Sequence, residues 1–172
     1  MANTYYTLGS VTVGSGGASS ISFLSIPNTY TDLLIKLSVR SNRATVQDTF
    51  KITFNSTASG YSFTRLYGDG ATVATDSSTG DTSLTAGYSV GNSATASTFG
   101  NVELYISNYA GSNHKFVSTD GVGENNATTA YSGFFSSIWS NTAAITSINI
   151  EGGTSATLLQ NSTAYLYGIK NS

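Results

Sequence analysis

The chain of 172 residues is long enough to form one domain with its own hydrophobic core. Only 9% of its residues are charged, against about 25% in ordinary soluble domains. Its seven basic residues are scattered and the formal net charge is −2, which argues against nucleic-acid binding, because that function needs clustered positive charge. The absence of cysteine excludes disulfides and thiolate zinc sites.

Apolar residues recur with a period of two, which predicts half-buried β-strands. In residues 33–40, for example, Leu33, Ile35 and Leu37 share one face. In chain order, we predict strands at residues 5–13, 18–23, 33–40, 50–55, 62–67, 101–108, 115–119, 134–139, 145–151 and 163–170.

Between these strands lie turns rich in Gly, Asn and Asp, residues that adopt tight turns at low steric cost. Nine or ten short strands with such turns favour an all-β, antiparallel sandwich or jelly roll made of a single domain, residues 1–172. We expect two long loops, at residues 69–83 and 89–97, and at most a short helix near 28–32 or 82–88.

Catalysis has few candidate residues in this sequence. A Ser-His-acid triad would need His114, the only histidine, with Asp120 or Glu124 to orient it. No pair of carboxylates stands out for sugar hydrolysis. We therefore expect a solvated His114 in a polar hairpin and a protein that is not an enzyme.

A cation site is a weaker possibility, since Asp69, Asp76 and Asp81 fall in one loop region and hard cations take oxygen ligands from loops. Their spacing matches no EF-hand pattern, and Asp is common in turns because its side chain caps the local backbone. We therefore expect ordinary turn acids and no cofactor.

Eleven tyrosines and one tryptophan are a large aromatic set for a chain with so few charges. Such side chains suit protein interfaces, and their rings also suit stacking on sugars. As interface residues we predict Tyr105, Tyr109, Tyr131 and Trp139.

Several segments resemble small structural proteins of tailed bacteriophages. They are residues 11–23 (VTVGSGGASSISF), 26–33 (IPNTYTDL), 50–55 (FKITFN), 61–62 (YS), 66–68 (LYG) and 165–170 (YLYGIK). The resemblance implies a jelly-roll-like virion protein, commonly a homotrimer, found either as a capsid decoration (cement) protein or as a tail-fibre or spike domain. It implies no catalytic residues, because none belong to these segments.

Of these two locations, we expect the capsid. The sequence has no long rod or coiled coil ahead of its first predicted strand, so we expect a module that binds the major capsid protein or other virion proteins on the head exterior. It has neither a signal peptide nor an apolar run long enough to cross a membrane, so we expect synthesis in the host cytoplasm.

Two alternatives remain. The first is a receptor-binding tail tip that recognises host surface glycan, with the loops between residues 69 and 97 clustered at one end of a trimer. The second is a bacterial carbohydrate-binding module, which would show a groove lined by Trp139 and tyrosines with polar groups beside it.

Overall fold

A computed structural model describes residues 4–123 and 131–170. Within them the chain forms twelve β-strands and one short 3₁₀ turn at Gly153–Ser155. The strands are β1 (Tyr5–Thr12), β2 (Ser20–Phe23), β3 (Asp32–Val39), β4 (Gln47–Phe54), β5 (Tyr61–Gly68), β6 (Val73–Asp81), β7 (Leu84–Val90), β8 (Gly100–Ile106), β9 (Lys115–Gly123), β10 (Tyr131–Trp139), β11 (Ile148–Gly152) and β12 (Thr163–Ile169).

The strands form two antiparallel sheets packed as a sandwich, which confirms the predicted all-β fold class. An eight-stranded sheet has the order β1-β12-β3-β8-β9-β10-β5-β6, and a four-stranded sheet has the order β2-β11-β4-β7. Consecutive strands from β1 to β4 alternate between the two sheets, whereas the hairpins β5-β6 and β9-β10 both add to the larger sheet.

The core lies between the sheets and follows the predicted alternation. On β3, Leu33, Ile35 and Leu37 all point inward and are buried, and Phe50, Ile52 and Phe54 on β4 face them from the other sheet. Outward neighbours such as Lys36 stay exposed. The apolar periodicity therefore determined which face of each strand was buried, because one face must leave water for the sandwich to form.

Two of the segments that resemble phage proteins meet inside the fold. The ring of Tyr30 lies over Gly168, where a Cβ atom would sit 2.5 Å from the Cγ atom of Tyr30. The hydroxyl of the buried Tyr109 donates a hydrogen bond to the carbonyl of Pro27. The glycine of the C-terminal segment is thus required for close packing rather than for a turn.

The prediction was wrong in two places between residues 69 and 88. Most of the predicted loop 69–83 is strand β6, and the segment suggested as a short helix, 82–88, forms most of β7. β6 is an edge strand with small polar side chains that are largely exposed, so it lacks the alternation that marks a half-buried strand. These two strands account for the difference between ten predicted strands and twelve observed. Residues 28–32 do not form a helix either.

The second predicted loop begins only after Ser89 and Val90, which end β7. It is ordered from within the chain by Arg40, whose guanidinium donates hydrogen bonds to the carbonyls of Thr95 (2.7 Å) and Ala94 (2.9 Å). Since Arg40 is itself buried, these bonds satisfy a charge that would otherwise be costly to bury. No partner molecule is needed to hold this loop.

Beyond β7, the inner side of the β5-β6 hairpin is covered by Arg65 and the aromatic rings around it. The guanidinium carbon of Arg65 lies 4.7 Å from the ring centre of Tyr67 and within 6 Å of Tyr88 and Phe135. Its Nη2 atom also pairs at 2.7 Å with Asp76 on β6. Cation–π and ionic contacts therefore hold the outer hairpin where the smaller sheet no longer covers it.

Candidate functional site

The outer face of the eight-stranded sheet carries most of the exposed apolar surface of the described residues. Nine large apolar side chains are exposed in the described residues, and seven of them point outward from this sheet. They are Tyr5, Leu66, Val73, Phe116, Val122, Phe134 and Tyr165. The other two, Leu24 and Val46, lie in loops. An ordinary solvent-facing strand surface is polar, so this face is the candidate functional surface.

Four of these side chains form one apolar patch. Phe134 on β10 is directly opposite Leu66 on β5, Val122 is a diagonal neighbour of Phe134, and Val73 is a diagonal neighbour of Leu66. Their exposed fractions range from 47% for Leu66 to 76% for Val73. Moving a fully exposed Phe, Leu or Val side chain out of water is favourable by about 1.5–3 kcal/mol, so these partly exposed side chains would gain a fraction of that amount on being covered. We call Leu66, Val73, Val122 and Phe134 the apolar patch.

A groove of about 590 Å³ crosses five strands, from β12 to β10, and its lining includes Val122 and Phe134 of the apolar patch. One row of side chains crosses it from strand to strand in the order Tyr165, Lys36, Glu103, Asp120 and Phe134. Four strand spacings separate its ends, or about 19 Å. An aromatic ring thus stands at each end of the row, with three charged groups between.

The charges in this row are unbalanced. Lys36 and Glu103 form an exposed salt bridge of 2.8 Å, and the bond to Glu103 raises the pKa of Lys36. Glu103 is also directly opposite Asp120, and within the described residues Asp120 forms no hydrogen bond or ion pair. Like charges directly opposite each other destabilise a sheet. Every other cross-strand pair of charged residues that the structure describes has opposite signs.

Two of the four predicted interface residues lie in the core. Trp139 is 1% exposed and stacks with Tyr61 at 6.1 Å between ring centres. Tyr109 is fully buried. Both belong to inward-facing or core positions, so neither ring is available on the surface for a partner. This corrects the expectation for Trp139 and Tyr109. Their aromatic side chains, which suggested an interface, instead fill the core of the sandwich.

The other two predicted residues lie at the surface but differ in position. Tyr105 points outward on β8, where its hydroxyl donates a 2.5 Å hydrogen bond to the carboxylate of Asp32. This bond raises the pKa of Tyr105 to about 12. Tyr131 is half-buried at the start of β10, and strand alternation places it on the face opposite Phe134. Of the four, Tyr105 alone shares the outer face with the groove.

The structure does not bring His114 and Asp120 together, as the triad considered from the sequence would require. His114 lies in the turn before β9, and Asp120 is six residues further along that strand, which places them about 20 Å apart. Glu124 lies outside the described residues.

The three loop acids likewise have separate roles. Asp69 caps its own turn by accepting hydrogen bonds from the backbone of Ala71 and Thr72, and these bonds lower its pKa. Asp76 pairs with Arg65, and Asp81 accepts a hydrogen bond from the hydroxyl of Ser78. In the described ranges, no three His, Asp or Glu side chains come together as a metal site.

Sequence reasoning missed Phe134, Leu66 and Tyr165 as surface residues, although a signal was present. Strand β10 carries large apolar residues on both faces, with Phe134 and Ile138 on one and Phe135 and Trp139 on the other. A strand that is apolar on both faces is typically covered on both. In this sandwich only one face of β10 is covered by the other sheet.

Comparisons of the chain with protein-family models, with curated proteins and with solved structures find no match. Among residues 4–123 and 131–170, there is also no helix with the length and apolar character to span a membrane.

Proposed function

We propose that this chain is a non-enzymatic structural protein of a tailed-phage particle, a decoration protein that binds the outer surface of the head and stabilises the shell. The observation that carries the proposal is the apolar patch, a set of exposed side chains suited to burial against another protein. The resemblance of the sequence segments supplies the phage context. A ligand that binds only the assembled shell raises the stability of that shell by mass action.

The strand order supports a jelly roll as the finer description of the fold. Without the hairpins β5-β6 and β9-β10, the sheets have the orders β1-β12-β3-β8 and β2-β11-β4-β7. In this set consecutive strands alternate between the two sheets except β4 and β7, which pair within one sheet. A double Greek key produces this arrangement, and jelly rolls of this kind occur in viral capsid and lectin domains. The two hairpins then widen one sheet and carry the whole apolar patch.

The composition of the remaining surface fits an assembly with many copies. With 9% charged residues, the protein has few long, flexible side chains that lose entropy when they are packed against a neighbour. Weak electrostatic steering matters little for a protein that binds a surface offering many identical sites. We propose the major capsid protein as the partner of the apolar patch.

The decisive measurement is the number of copies per particle, obtained by quantitative mass spectrometry of purified virions. Decoration requires hundreds of copies in a fixed ratio to the major capsid protein. A few to a few tens of copies would overturn this location and assign the protein to the tail.

Binding to heads tests the apolar patch itself. Leu66→Ser and Val73→Ser should weaken co-sedimentation of the purified protein with heads that lack it, because each removes apolar area from the contact. Leu24→Ser and Val46→Ser are matched controls, since they make the same changes at exposed positions outside the apolar patch. Equal binding by all four variants would contradict the role of the patch.

We also propose that the protein is a homotrimer, as the resemblance implies. Native mass spectrometry should give three times the chain mass of 17.9 kDa. If Leu66→Ser dissociates the trimer while head binding per chain is unchanged, the apolar patch is a subunit interface and the capsid contact lies elsewhere.

A further inference from the structure

We infer that the groove on the eight-stranded sheet is a binding site for a neutral oligosaccharide. The ligand would lie across the strands, along the row from Tyr165 to Phe134. The groove shares Val122 and Phe134 with the apolar patch, whereas Leu66 and Val73 of the patch lie outside its lining.

The aromatic rings at the two ends of the row supply stacking surfaces. Tyr165 and Phe134 are 40% and 62% exposed, and each lines the groove. The face of an aromatic ring is electron-rich and attracts the C–H groups on the apolar face of a sugar ring. Their separation of about 19 Å along the strand order leaves room for several sugar units between them, so the geometry fits a chain rather than a single monosaccharide.

The groups between the rings match the chemistry of sugar hydroxyls. The carboxylates of Glu103 and Asp120 accept hydrogen bonds from hydroxyl donors, and the ammonium of Lys36 and the amide of Asn101 donate to hydroxyl oxygens. Hydrogen bonds that involve a charged group are roughly twice as strong as neutral ones. A few convergent polar groups beside apolar walls are the general features of a ligand site.

The like-charge pair is the second observation that points to a ligand. Glu103 and Asp120 are directly opposite each other in a chain that has few charges to place. On folding grounds this arrangement is unfavourable, and Asp120 gains no compensating bond among the described residues. A sugar diol that bridges the two carboxylates would donate a hydrogen bond to each and so offset the repulsion.

The net charge of the row selects the class of saccharide. One cation and two anions give it a charge of −1, and the whole chain carries −2. Sialylated or uronic-acid glycans would bring further negative charge into the groove and be repelled. Neutral hexose and N-acetylhexosamine chains avoid this penalty, so they are the expected ligands.

The test is binding of the full chain to a panel of neutral and acidic oligosaccharides of three to six units, followed by calorimetry on the neutral hits. Tyr165→Ala should weaken the affinity about tenfold through loss of one stacking surface. Asp120→Asn should weaken it about fivefold, because a neutral acceptor replaces a charged one.

Matched controls are available on the same protein. Tyr5→Ala removes an exposed tyrosine of the same sheet outside the groove, and Glu151→Gln neutralises an acid on the opposite sheet. Both should stay within twofold of wild type.

Three results would overturn the inference: no binding of any neutral oligosaccharide at millimolar concentration, preferential binding of acidic glycans, or equal effects of groove and control variants. Loss of head binding in Leu66→Ser with saccharide binding intact would separate this site from the proposed docking function. Circular dichroism of each variant shows whether it is folded, and Phe134→Leu provides a second groove variant if Tyr165→Ala does not fold.

Discussion

The two sheets of the sandwich present very different faces to solvent. On the four-stranded sheet, outward positions are small or polar and bond to one another: Ser22 donates to Asn149 at 2.7 Å, and Asn149 donates to Glu151 at 2.6 Å. On the eight-stranded sheet, outward positions include Phe116, Phe134 and Leu66. Both faces come from strands with the same alternation, so the difference is not required by the fold. This difference between the faces is the basis of the proposal that the larger face contacts another molecule.

The largest expected difference in stability is between substitutions on the inner and outer faces of strand β10. Trp139→Ala should lower the free energy of unfolding by about 3–5 kcal/mol, because it leaves a cavity in the core. Phe134→Ala, five residues earlier on the outward side, should change it by less than about 1 kcal/mol. Urea denaturation followed by circular dichroism measures both. A comparable loss from Phe134→Ala would mean that the outer face is part of the core.

The second-largest loss of stability is expected at Tyr105 on the outer face, where the hydrogen-bond partner is Asp32 of the same chain. Tyr105→Phe should destabilise the protein by about 1.5–3 kcal/mol, because the buried carboxylate of Asp32 loses a hydrogen-bond donor. Tyr167→Phe is a control on the same face, since the phenol of Tyr167 forms no hydrogen bond among the described residues. Urea denaturation at pH 7 measures the difference, and equal stability of the two variants would contradict it.

The same bond predicts a dependence on alkaline pH. The pKa of Tyr105 is raised from 10.0 to about 12 in the folded protein, so its contribution is complete below pH 10 and is lost as the pH rises through 12. Wild type should therefore lose stability more steeply than Tyr105→Phe between these values. Parallel slopes for the two proteins would show that the Asp32 bond does not raise the pKa.

Neutralising one acidic residue on each sheet should change the stability of the protein in opposite directions. Asp120→Asn should raise stability by about 0.2–1 kcal/mol, because it relieves repulsion with Glu103. Glu151→Gln should lower stability by a similar amount, because Glu151 is opposite Lys51. Thermal unfolding at low salt measures both, and 1 M salt should reduce both differences. The same sign for both variants would show that Asp120 is not under electrostatic strain.

The smallest effect on stability is expected within the apolar patch. Leu66→Ser and Val73→Ser should leave the free energy of unfolding within about 0.5 kcal/mol of wild type, because surface positions contribute little to it. Binding of a hydrophobic fluorescent dye should nevertheless fall in both, and should stay unchanged in Ser22→Ala on the other sheet. Unchanged dye binding by the patch variants would show that the patch is too small or too dispersed to act as one surface.

The reliability of sequence interpretation differed between the inside and the outside of the molecule. The buried faces of β3, β4 and β8 followed directly from alternation, since each position there either enters the core or does not. β6 could not be found this way, because an edge strand of Ser, Thr and Gly buries too little to leave a pattern. Trp139 and Tyr109 were assigned to the surface because aromatic residues suit both cores and interfaces, and composition alone does not distinguish the two.

By itself, the sequence determined the all-β class and the inward face of most strands, because burial of apolar side chains in a sandwich requires a period of two. It also limited the chemistry, through its single histidine, its lack of cysteine and its few charges. Only the tertiary structure decided that Tyr165, Lys36, Glu103, Asp120 and Phe134 stand in one row, because strand order and register join residues up to 129 positions apart. Local sequence does not specify such pairings, which arise because β3 pairs with the C-terminal strand β12 on one side and with β8 on the other.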